Sequence, residues 1–279
     1  MIDPLVVETV IEAALREDIG FCDLTSELVI PADATADFSL RSRHDIVVAG
    51  LAVAAAVFRR RVPDCRLELE VADGARLGPG GRLGRVRGSA RGLLSAERTA
   101  LNLLQHLTGI ATLTARYVAL IAHTKAVVVD TRKTTPGLRA LEKHAVQIGG
   151  ARNHRLRLDD GVMLKDNHIA VCGGITAAVA RARAGAPLLT KIEVECDRLD
   201  QVREALAAGA DVIMLDNMDP PMLREAVALV GGKVPLEASG GVTLDTIAAI
   251  AETGVDFISV GRITQSAPAA DIGLDVTLT

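Results

Sequence analysis

Apolar residues recur along this chain in two different rhythms, and the change comes near residue 125. In the earlier stretch, Ile, Val and Leu at helical spacing predict a helix over roughly 4–17, and a second apolar helix is predicted over 50–61. Around them lie segments of alternating character, DFSLRSR, IVVAG, CRLELEV and RLGRVRG, with Gly and Pro punctuation at GARLGPGG. These predict short strands, so the first hundred residues read as α+β. A long helix is predicted from near Ser95, where SAER has the capping-box pattern, to about residue 122, with a break around Gly109.

After residue 125 short apolar runs recur as AVVVD, GVMLKD, KIEVE, DVIMLD, PLEAS and DFISVG. Helical stretches separate them near 138–151, 175–184, 198–208, 221–230 and 243–253. Six strands with five helices between them predict a parallel α/β structure. Every strand ends in polar residues: Asp130 to Lys133, Lys165 to His168, Glu193 and Glu195, Asp216-Asn217, Ser239 to Gly241, and Gly261-Arg262. An α/β barrel gathers all its C-terminal strand ends at one mouth, whereas a doubly wound sheet uses only the few at its switch point. Contributions from all six strands favour the barrel.

Composition narrows the function. The chain has 279 residues and a net charge of −4, with no Trp and 2% aromatic residues, which argues against nucleic-acid binding. Four scattered cysteines without a CxxC pair read as free thiols of a reducing cytoplasm. The acidic amphipathic N-terminus is not a targeting segment, and the apolar run GLAVAAAVF is too short to span a bilayer. The expectation is a cytoplasmic protein with no membrane partner.

Within this acidic chain, residues 132–168 carry eight Lys or Arg against four acids. Such a basin suits a small polyanion. A solvated basic face accounts for Arg139, Lys143 and Arg152, but poorly for Arg132, Lys133 and Lys165, which end apolar strands. Gly-bearing turns follow the last two strands, SGG at 239–241 and VGR at 260–262, where barrels commonly cradle a phosphate. Glu195 and Asp216 end the two middle strands, and paired carboxylates there suit Mg²⁺ or a ribose diol; helix capping by Asp216 or an ion pair with Lys191 is the structural alternative. His154 and His168 have no Cys or carboxylate at ligand spacing, which argues against zinc.

The run DTRKTTPGLRALEKHAVQIGGARNHRLRLDDGVMLKDNHI, with ERTALNLLQHLTGIAT before it, resembles quinolinate phosphoribosyltransferase, also called nicotinate-nucleotide pyrophosphorylase (carboxylating). EDIGFCDLTS, KIEVE, IMLDN, EASGG, ETGVDFISVG and DIGLDV extend the resemblance over nearly the whole chain. It implies an N-terminal open-faced sandwich over 1–110, joined by the tail 270–279, and a six-stranded α/β barrel over 111–269. The implied reaction joins quinolinate to 5-phosphoribosyl-1-pyrophosphate with Mg²⁺, giving nicotinate mononucleotide, pyrophosphate and CO₂.

By the same resemblance Arg132, His154, Arg155 and Lys165 bind quinolinate, with Arg98 reaching in from the second subunit of a homodimer, or of a hexamer. Lys133 faces the pyrophosphate, Glu195 and Asp216 the ribose hydroxyls and Mg²⁺, and Ser239, Gly240, Gly241 and Gly261 the 5′-phosphate. Lys133, Lys165, Glu195 and Asp216 are the implied catalytic set, without a covalent nucleophile. The chain departs from the family's usual residues at Gln265, Ala151, Arg157 and His144, all outside the substrate-binding set. Two other readings compete: an aldolase-like barrel using Lys133, Lys165 or Lys191 as a Schiff base, and a non-catalytic binder of phosphoribosyl compounds.

Overall fold

Asp3 opens the first helix by accepting the Leu5 N–H at 3.0 Å, with Pro4 in the position that needs no N–H donor. The computed structural model describes residues 3–277, which form two compact units. One unit contains residues 3–115, 134–150 and 264–277, and the other 116–133 and 151–263.

The elements of the first part of the chain are α1 (Pro4–Ile19), α2 (Leu24–Val29), β1 (Thr35–Ser42), β2 (Ile46–Val47), α3 (Leu51–Arg61), β3 (Arg66–Leu69), β4 (Arg76–Leu77), β5 (Arg82–Ser89) and α4 (Ala90–Leu120). There follow β6 (Val127–Val129), α5 (Arg139–Ile148), β7 (Val162–Leu164), α6 (Asp166–Cys172), α7 (Ile175–Gly185) and β8 (Ile192–Cys196). The chain ends with α8 (Leu199–Ala207), β9 (Val212–Asp216), α9 (Pro220–Val230), β10 (Leu236–Ser239), α10 (Ile247–Ala251), β11 (Phe257–Ser259), α11 (Arg262–Gln265) and β12 (Ile272–Val276).

In the first unit β12, β1, β5 and β3 form an antiparallel sheet in that order, and β2 pairs with β4. The final strand thus pairs with the first. Phe58, Leu40, Leu83, Leu93, Leu104 and Leu107 make the centre of this unit's core. The helix α5 belongs to this unit, where the sequence pattern had grouped it with the barrel helices.

Two expectations for the long helix are corrected. It begins at Ala90 rather than near Ser95, because Ser95 lies inside it; its hydroxyl donates to Gly92 O and accepts from Arg61 Nε. Nor does it break at Gly109. There a Cβ would stand 2.1 Å from Pro268 O, so the glycine admits a crossing backbone. Lys143, expected on a solvated face, is 1% exposed.

In the second unit six parallel strands run in the order β6, β11, β10, β9, β8, β7. Their inward positions are set by the parity of the register, in which Glu195, Met214, Glu237, Phe257 and Val127 face one another across successive strands. Val129, Val162, Glu193, Val212, Glu237 and Phe257, one from each strand, line a single cavity of about 250 Å³. The sheet therefore curls into a barrel. Its seam, between β6 and β7, is occupied by a strap over residues 152–155: Arg152 N–H donates to Val128 O at 3.0 Å, and Asp130 N–H to Arg152 O at 3.2 Å. No helix among the described residues is long and apolar enough to cross a membrane.

Candidate active site

The polar strand ends of the barrel lie where parallel topology puts them, at the C-terminal edge. Arg132 and Lys133 follow β6, Lys165 follows β7, Glu195 and Asp216 lie at the ends of β8 and β9, Ser239 ends β10, and Gly261 follows β11. Asp216 does not cap the next helix. Asp219 does so, its carboxylate accepting Met222 N–H at 2.9 Å.

Three contacts tie these ends together. Lys165 Nζ meets Glu195 Oε2 at 2.6 Å, joining β7 to β8. A Cβ at Gly261 would lie 3.0 Å from Lys133 Cδ and 3.7 Å from its Nζ, so the lysine lies across the glycine. A Cβ at Gly240, whose φ is +95°, would fall 2.1 Å from Asn217 Oδ1. Asn217 itself has φ 54°, donates its N–H to Ser239 O at 2.9 Å and its Nδ2 to Asp216 Oδ2 at 2.7 Å. The sequence marks Asn217 only as a polar strand end and gives it no role of its own; an Asn directly after a strand, a residue type that tolerates positive φ, was the available signal.

Below the mouth sits His154. Its Nε2 donates to Glu193 Oε2 at 3.0 Å and is 3.3 Å from Glu237 Oε2, while Arg155 N–H donates to its Nδ1 at 2.8 Å. Buried Asp130 accepts His154 N–H at 2.8 Å and Asn153 Nδ2 at 2.6 Å. Burial would lower the basicity of His154, but the hydrogen bonds and charges of Glu193 and Glu237 outweigh it and raise the pKa to about 10. A ring nitrogen that accepts an N–H carries no proton, which conflicts with a full imidazolium. The direction of the backbone amide is fixed by the chain, so we assign the ring as Nε2–H. Burial raises the pKa of Glu237, with the charge of Glu193 added, against the lowering effect of its hydrogen bond to His154. Spacing along the sequence had given His154 no carboxylate partners; the fold supplies two from distant strands, and the three form the group of potential metal-binding side chains among the described residues.

Arg155 directs Nη1 to Gly161 O at 3.1 Å. Burial and then the charge of Arg132 lower the pKa of Arg155, while the charges of Glu193 and Asp160 raise it. Two neighbouring cations at a barrel mouth suit a ligand with more than one negative charge. His168 is structural: its Nδ1 accepts Lys165 N–H at 3.1 Å. Cys196 is buried, and burial followed by the charges of Asp197 and Glu195 pushes its thiol up to about 12, which removes it as a nucleophile. The four cysteines are free thiols. Arg98 lies exposed on α4 in the first unit.

A parallel barrel with a cationic mouth, acids on its middle strands and glycine turns after its last two is the architecture of an enzyme acting on a phosphorylated anion. The comparisons specify which. Family models for quinolinate phosphoribosyl transferase match residues 23–108 as its N-terminal domain and 110–275 as its C-terminal domain. The probable nicotinate-nucleotide pyrophosphorylase [carboxylating] of Bacillus subtilis (strain 168) is 44% identical over 262 residues, covering 94% of this chain and 90% of that protein. The nicotinate-nucleotide pyrophosphorylase [carboxylating] of Mycobacterium leprae (strain TN) is 44% identical over 272 residues, with 95% of each chain covered. The solved structure of the nicotinate-nucleotide pyrophosphorylase from Francisella tularensis superposes with a TM-score of 0.96 at 38% identity, covering 99% of this chain and 98% of that one. The chain belongs to the quinolinate phosphoribosyl transferase family.

Proposed function

We infer that this chain transfers the phosphoribosyl group of 5-phosphoribosyl-1-pyrophosphate to quinolinate, releasing pyrophosphate and CO₂ and giving nicotinate mononucleotide for NAD biosynthesis. The family match and the relatives' names favour this over a Schiff-base aldolase or a non-catalytic binder. What supports it is the placement of Arg132 after β6, Arg155 in the strap and Lys165 after β7 of the barrel that also holds Glu195, Asp216 and the two glycine turns.

Guanidinium forks at Arg132 and Arg155, with Lys165, hold the two carboxylates of quinolinate and orient its ring nitrogen toward C1 of the ribose. His154 supports Arg155 from behind. Ser239, Gly240, Gly241 and Gly261 offer close backbone approach to the 5′-phosphate, and Asn217 keeps that turn against Asp216. Lys133, lying across Gly261, offsets charge on the departing pyrophosphate.

Glu195 and Asp216 fit Mg²⁺: two carboxylates on adjacent strands, completed by substrate oxygens, are what this hard cation ordinarily takes. Bound there, it would supply charge neutralisation to the pyrophosphate leaving group. Loss of CO₂ from C2 then leaves the bonding pair on carbon, stabilised by the adjacent pyridinium nitrogen and the surrounding cations, and a proton from solvent completes the product. The enzyme works as a homodimer in the cytoplasm, with Arg98 contributed to the neighbouring subunit's site. Incubation with both substrates and Mg²⁺ tests the reading: pyrophosphate and CO₂ should appear in equal amounts, and pyrophosphate without CO₂ would overturn it.

A further inference from the structure

The barrel interior holds two acids that the chemistry above leaves without a direct task. Glu193 and Glu237 are 5% and 2% exposed, at inward positions of β8 and β10. Barrels ordinarily fill this layer with branched apolar side chains. Burying an acid costs free energy that its partners only partly offset, so stability is a poor reason for two of them here.

Both carboxylates converge on one atom, His154 Nε2. Their other oxygens, Glu193 Oε1 and Glu237 Oε1, are buried and accept no hydrogen bond among the described residues. The imidazole is therefore held from one side by two acids and from the other by the Arg155 amide on Nδ1. Asp130 holds the same strap from β6, through the His154 N–H and the Asn153 amide. One of these contacts, that of Nδ1, reaches Arg155 directly. Its backbone N–H is bonded to the ring, and Arg155 lines the same cavity as the two acids. The same three side chains are spaced for a metal ion, but the Nε2–H stands between the two carboxylates and accounts for their convergence without one.

We propose that Glu193 and Glu237 are positioning residues for the aromatic acid: they fix the His154 ring, and through it the backbone of Arg155, so that the Arg155 guanidinium meets a substrate carboxylate in its working position. This rests on the reading of Arg155 as a quinolinate ligand. The hydrogen-bonded route from the two acids to Arg155 runs through His154. Removing one leaves the ring and its strap free to settle elsewhere, which weakens quinolinate binding while the phosphoribosyl side of the site is untouched.

The test compares Glu237→Leu, Glu237→Gln and Arg155→Ala, each with melting temperature and separate KM values for the two substrates. Glu237→Leu should fold and melt no lower than wild type, since an apolar side chain of similar size suits a barrel layer. Its KM for quinolinate should rise about tenfold or more, the effect of losing one orienting hydrogen bond, while KM for 5-phosphoribosyl-1-pyrophosphate stays within about twofold. Glu237→Gln keeps an acceptor oxygen and should restore a near-normal quinolinate KM. Equal rises in both KM values, or an unchanged quinolinate KM in Glu237→Leu, would overturn the proposal, as would Glu237→Gln being as impaired as Glu237→Leu. Should Glu237→Leu not fold, Glu237→Ala is read by the same criteria. Arg155→Ala separates the two levels. If it leaves the quinolinate KM unchanged, the ligand role of Arg155 fails; if it raises KM where Glu237→Leu does not, only the positioning role fails.

Discussion

Replacing Gly109 by Ala in the middle of α4 sets two effects of opposite sign against each other. In an exposed helix the change gains about 1 kcal/mol from helix propensity. Here the added Cβ would stand 2.1 Å from Pro268 O and 3.1 Å from Ala269 Cα. The Pro268 carbonyl would have to retreat by about 1 Å, and overpacking of this kind costs about 1–3 kcal/mol or more. Retreat is resisted, because Ala270 N–H donates to Gln105 O at 2.9 Å and Gln105 Nε2 donates to Ile272 O at 2.7 Å, tying the chain just after Pro268 to the helix twice. A clash with backbone atoms held in this way costs about 3 kcal/mol, the upper end of that range, which leaves a net loss of about 2 kcal/mol after the propensity gain. At about 2–4 °C per kcal/mol for a unit of this size, the melting temperature should fall by about 4–8 °C. Gly185→Ala is the control: it sits in α7 with nothing within 4 Å of an added Cβ, so it should leave the melting temperature unchanged or raise it. Thermal unfolding followed by circular dichroism reads both. A Gly109→Ala protein that melts at or above wild type would refute the close-approach account of this glycine.

The remaining predictions concern the site. Lys165→Ala should fold normally, because its side chain is 46% exposed at a strand end, yet lose activity by orders of magnitude; a lowered melting temperature with activity retained would mark Lys165 as structural. Gly240→Ala forces a side chain into φ +95° and against Asn217 Oδ1, displacing Asn217 from Asp216, so KM for 5-phosphoribosyl-1-pyrophosphate should rise more than KM for quinolinate. Mixing Arg98→Ala with Lys165→Ala chains should restore about a quarter of wild-type activity when subunits exchange, because half the dimers are hybrids with one intact site. Confirmed exchange without recovery would place Arg98 in its own chain's site.

The barrel was legible because parallel strands write two signals at once. A short apolar run marks the buried strand, and the polar residues at its C-terminal end mark the mouth, so all six runs matched strands to within about two residues. Elements held by neighbours rather than by their own pattern were missed. The two-residue β4 exists only through its pairing with β2, and α2 and α6 are too short for periodicity to declare them. Gly109 reads as a helix breaker locally, and only the crossing of Pro268 reveals its reason. The cluster of His154 with Glu193 and Glu237 escaped a search by spacing, since its members lie on a strap and two strands far apart in sequence. One trace was visible. A Glu in the middle of an apolar strand, as in PLEAS, faces the barrel interior when its neighbours pack outward.

The central claim is that the cations of this barrel are arranged for a pyridine carrying two carboxylates. It is tested most directly by giving the enzyme quinolinate or nicotinic acid, each with 5-phosphoribosyl-1-pyrophosphate and Mg²⁺, and measuring nicotinate mononucleotide formed. Nicotinic acid offers one carboxylate where Arg132, Arg155 and Lys165 are proposed to hold two, so it forgoes the second charge-assisted contact in the transition state. Quinolinate should yield the mononucleotide readily and nicotinic acid almost none. Comparable yields from both would contradict the account.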